Sequence, residues 1–81
     1  FFTIKKSDLQ IRVKECISDY TGIEFEDIHL DSKLEDFDLD QDSCTELQDD
    51  MEIKFGAKIT PSFTPKTLVS QIINLLVPKV C

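Results

Sequence analysis

The chain has 81 residues, 41% of them apolar, with 9 Lys+Arg against 16 Asp+Glu and a net charge of −7 at neutral pH. This length fits one small domain over residues 1–81, and such a domain buries only about 60% of its unfolded surface, which excludes a large enzyme fold with a deep substrate cleft. The apolar share suffices for a packed core and excludes wholesale disorder, and no apolar run nears the ~18 residues of a membrane span.

The first predicted helix covers about Ser7–Thr21. Ser7 is placed to cap it, with Gln10 completing a capping box. Leu9, Val13, Cys16, Ile17 and Tyr20 recur at helical spacing and form one apolar stripe. Gly22 stands where a helix end favours a left-handed residue. Residues 22–40 then form a connection of about nineteen residues, against the ~4–6 usual for a compact domain. Ile23, Phe25, Ile28, Leu30, Leu34, Phe37 and Leu39 punctuate it. This pattern predicts an ordered loop that enters the core, and no hairpin signal predicts a strand.

The second helix begins near Asp40–Ser43 and runs to Phe55, with Gly56 as its stop. Cys44, Leu47, Met51 and Phe55 make its inner stripe. Asp42, Glu46, Asp49, Asp50 and Glu52 make an acidic outer face. Residues 57–63 are short and irregular, with room for one extra helical turn. The third helix is expected after Thr64, with Thr64 as cap, Pro65 in the first position and Pro78 as the stop. Leu68, Val69, Ile72, Ile73 and Leu76 line its buried side.

Charge is unevenly spread. Residues 24–52 carry thirteen acids against Lys33, whereas residues 53–81 carry four lysines and no acid. The acidic middle repels nucleic acid and attracts proteins with basic patches. Cys16, Cys44 and Cys81 are odd in number and widely spaced, which is no disulfide framework and fits a reducing compartment. Cytoplasm is the default location, or an organelle interior such as the mitochondrion if a targeting segment preceded Phe1. No catalytic triad is available. His29 is the only histidine, with no cysteine near it, and no Gly-rich loop cradles a phosphate. Asp36, Asp38, Asp40 and Asp42 alternate as at the start of a calcium loop, but an EF-hand wants Gly at position six and Glu at twelve, where Ser43 and Asp49 stand. A weak divalent-cation module is the alternative they leave open.

The layout of helix, long ordered loop, acidic helix, irregular piece and final helix resembles the acyl carrier protein family. Glu46-Leu47, Met51, Phe55 and Ile59-Thr60-Pro61 carry the resemblance, with one inserted Thr before the proline, and Leu68, Ile72 and Ile73 fit the last helix. The family motif is D-L-G-x-D-S-L. Aligned without gaps, Asp36-Phe37-Asp38-Leu39-Asp40 matches D-L-G-x-D, and Gln41 then stands at the serine. In a second frame, Asp38-Leu39-Asp40-Gln41-Asp42-Ser43-Cys44 restores a serine at the cost of a second helix two residues shorter.

The resemblance implies a small all-α bundle of three main helices plus a short fourth, with the long ordered loop between the first two. It also implies a non-enzymatic protein that docks partners through Asp42, Glu46, Asp49, Asp50 and Glu52. The expected partners are acyl-chain enzymes or assembly factors, bound by a monomer or by a subunit of a larger assembly. In the gap-free frame no cofactor is carried. In the other, Ser43 holds 4′-phosphopantetheine and the protein is a working carrier in fatty-acid or polyketide thioester chemistry. Leu47, Met51 and Phe55 suit either a plain core or an acyl pocket.

Overall fold

The computed structural model describes residues 5–80. Phe1 and Cys81 lie outside them. Three α-helices, α1 (Lys6–Thr21), α2 (Gln41–Phe55) and α3 (Val69–Val80), are the main elements. Two single 3-10 turns, Phe25–Asp27 and Leu34–Phe37, lie in the long connection between α1 and α2. The small all-α class is therefore as expected. The fourth short helix is not formed. Residues 57–67 hold only turns and irregular chain, and the extra helical turns lie before α2 instead.

Helix α1 packs against both α2 and α3. Its stripe Leu9, Val13, Cys16 and Ile17 is buried, as the spacing requires. Gly22 closes it at φ 78°, with its N–H on the Ser18 carbonyl. The start differs from expectation. Lys5 is the N-cap, in extended conformation and without a side-chain cap bond. The Leu9 N–H already reaches the Lys5 carbonyl, so Ser7 sits inside the first turn and cannot cap it.

The long connection enters the core through Ile28, Leu34, Phe37 and Leu39, all buried. Ile23 packs against the core from outside. Leu30 does not enter: it is 38% exposed. Phe25 is half-buried, with the Lys14 ammonium 5.5 Å above its ring. The sequence gives no strand signal, yet the connection pairs with residues 65–70. An antiparallel bridge joins Lys33 and Leu68. The Leu34 and Glu35 N–H groups donate to the Thr67 and Pro65 carbonyls, and the Val69 and Ser70 N–H groups donate to the Ser32 and Leu30 carbonyls.

That pairing explains where α3 begins. The Pro65 carbonyl and the Val69 N–H, which would bond each other in a helix starting at Pro65, are both taken by the connection. Thr64 does accept at its hydroxyl, from the Lys66 N–H, but it caps an isolated turn. At the true start, the Gln71 side chain accepts from the Leu68 N–H. Pro78 does not stop α3, which runs through it to Val80. So near the helix end its missing N–H removes one bond only, from the carbonyl of the exposed Asn74.

Candidate functional site: the start and outer face of α2

The Asp40 carboxylate caps α2 by accepting from the Ser43 N–H at 2.8 Å. That bond holds the Asp40 carboxyl below its ordinary pKa. Ser43 is therefore the third residue of the helix rather than its cap. Ser43 is half-buried, and its hydroxyl adds to the lowering of the Asp40 pKa. Gln41 occupies the first helical position, and its amide donates to the Phe63 carbonyl at 2.9 Å. Asp38, two residues before the cap, adopts φ 61°, alone among the described non-glycine residues in having positive φ.

Three side chains of α2 hold the segment after it. The buried Gln48 donates to the Ile59 carbonyl at 2.7 Å and accepts from the Phe63 N–H at 2.9 Å. Glu52 accepts from the Ile59 N–H at 2.8 Å. With Gln41 on the Phe63 carbonyl, the backbone groups of Ile59 and Phe63 are met entirely by side chains. Both residues bury their side chains in the core, so these polar groups need protein partners. The inner stripe is Cys44, Leu47 and Met51, each fully buried, with Phe55 packed at its edge. Burial raises the Cys44 thiol pKa, and the nearby Asp40 adds to the shift. Burial does the same for Cys16.

The five expected docking acids divide by what they touch. Asp42, Glu46 and Asp49 are exposed along the outermost line of the helix. Glu46 accepts from the Tyr20 hydroxyl at 2.7 Å, which raises the tyrosine pKa. Asp50 faces sideways into an ion pair with Lys54 at 3.1 Å, and Glu52 is engaged with Ile59. The outer line thus belongs to Asp42, Glu46 and Asp49. It continues into Ile53, 81% exposed, which the sequence reading passed over. Its signal was present: an isoleucine eleven residues after Asp42 shares that line.

Among the described residues no three His, Cys, Asp or Glu side chains converge as a metal site would require. Asp36 accepts from the Lys33 N–H, Asp40 caps α2, and Asp38 closes the preceding turn. Among the described residues, no helix is long and apolar enough to cross a membrane. No protein-family model, curated protein or solved structure matches the chain.

Proposed function

We propose that this chain is an acyl-carrier-like docking module without a prosthetic arm, and that it catalyses nothing itself. It presents the outer line of α2 to proteins with basic patches, such as acyl-chain enzymes or assembly factors. The docking half of this reading rests on Asp42, Glu46 and Asp49 lying exposed on one line of the helix. No lysine or arginine of the chain pairs with these three among the described residues. Such a line raises association rates and selects basic partners.

The armless half rests on the conformation of Asp38. The glycine of the family motif falls on Asp38 in the gap-free frame and on Asp40 in the other. Asp38 has φ 61°, a conformation that favours glycine, whereas Asp40 has φ −85°. The gap-free frame is therefore the better one, and it puts Gln41 where the serine belongs. An amide cannot form the phosphodiester, and this amide is occupied with Phe63.

Intact mass after incubation with a phosphopantetheinyl transferase and coenzyme A tests this. The wild-type chain is expected to stay unmodified, and D38G/Q41S to gain the arm of ~340 Da. Addition of the arm to Ser43 of the wild-type chain would overturn the armless reading and make the protein a working carrier.

A further inference from the structure

We infer that Ile53 is the apolar anchor of the docking face, and that it seats an apolar side chain of a partner segment that is basic on one side of that side chain. This rests on the docking reading above and goes beyond it by naming what the partner must present. Among the described residues seventeen apolar side chains are buried, and Ile53 is far more exposed than Ile11 (46%) or Leu30 (38%). A partner that covers Ile53 removes its apolar area from water, which favours association. Ile53 lines an open groove of about 560 Å³ together with Asp49, Glu52, Gly56, Ala57 and Lys58.

Charge fixes the polarity of the occupant. Asp49 and Asp42 lie about 6 and 16 Å from Ile53 along the helix axis, both toward its N-terminal end. Lys58 lies toward the other end, whereas Lys54 is turned away into its pair with Asp50. A cation on that side meets Lys58, and a cation on the acid side meets unpaired carboxylates. The matching segment on a partner helix has Arg or Lys about four and eleven residues to one side of a Leu-sized side chain.

The probe is a synthetic amidated helical peptide of that design, with one Leu, Arg at four and eleven positions to one side, and Ala or Gln elsewhere. A control peptide replaces the Leu by Ser at equal charge. Affinities are measured at low salt by fluorescence anisotropy for the wild-type protein, for Ile53→Ser and for Asp49→Lys. Burying Ile53 against Leu is expected to favour the Leu peptide by about tenfold on the wild-type protein. That preference should vanish in I53S and persist in D49K, which weakens both peptides alike. An unchanged melting temperature of I53S shows that the fold is intact. Equal binding of the two peptides to the wild-type protein, or a preference that survives in I53S, overturns the anchor and leaves docking by charge alone. Failure of both peptides to bind wild-type protein at low salt overturns the anchor and the docking reading together.

Discussion

Gln48→Leu is the sharpest test of how α2 holds the chain that follows it. The substitution keeps the volume and removes both polar atoms. It leaves the Ile59 carbonyl and the Phe63 N–H without their partners, at positions where both residues are at most 2% exposed. A net hydrogen bond contributes about 1 kcal/mol, and an orphaned buried group costs about 1–3 kcal/mol, so the expected loss is about 2–4 kcal/mol. A domain of this size has roughly 4–12 kcal/mol in total, so Q48L removes a large share. Urea denaturation should show it directly, and the melting temperature should fall by at least ~8 °C. The Phe63 amide should lose its protection from hydrogen exchange.

Gln48→Glu adds a control with a defined sign. A buried carboxylate facing the Ile59 carbonyl is disfavoured, so its folded pKa lies above the ordinary value near 4.3. Relative to wild type, Q48E should be least stable at neutral pH, should recover as the pH falls through the raised folded pKa, and should have recovered fully below about 4.3. A loss under ~0.5 kcal/mol for Q48L, with Phe63 still protected, would refute the clamp, since it is smaller than one net hydrogen bond.

Tyr20 is the only tyrosine, so its ultraviolet titration is unambiguous. It should titrate above its ordinary value, and Glu46→Gln should bring it back toward 10 by removing the carboxylate that accepts its proton. Asp40 has a lowered pKa, so its cap contributes stability above the unfolded value of 3.8 and loses it as the pH falls through the folded value. An acid titration of Asp40→Ala should lack that part of the acid limb. Asp38→Val places a β-branched residue at φ 61° and should cost about 1–2 kcal/mol in thermal or urea unfolding, whereas D38G should be neutral or stabilising. In a Cys81→Ser background, Cys16 and Cys44 should react with a thiol reagent only slowly when folded and rapidly in urea, since both are buried with raised pKa.

Local sequence set the three helices, the glycine stops and the inner stripes, apart from Leu68, which was expected on the buried side of α3 but precedes the helix and is half-buried. Each follows from interactions within one or two turns. The 3.6-residue period of Leu9, Val13, Cys16 and Ile17 settles the inner face of α1. The left-handed stops at Gly22 and Gly56 need no partner from elsewhere in the chain. The apolar residues of the long connection also foretold that it enters the core, since Ile28, Leu34, Phe37 and Leu39 had to be covered. The acidic outer face of α2 was legible for the same reason: it is what remains once the inner stripe is assigned.

Tertiary structure alone decided where α3 begins and which acids stay free. Pro65 and Thr64 are good local start signals, but hydrogen bonds from residues 32–35 claimed the backbone groups on which a helix there depends. Likewise Gln41, Gln48 and Glu52 read as ordinary helix-surface residues until residues 59–63 fold against them. Asp50 and Glu52 looked equivalent to Asp49 on charge, and differ only in the neighbours that the fold brings to them. Short-range periodicity records which face of a helix is apolar. A backbone group's partner from twenty or thirty residues away leaves no periodic trace, so competition for that group is settled only when the chain is assembled.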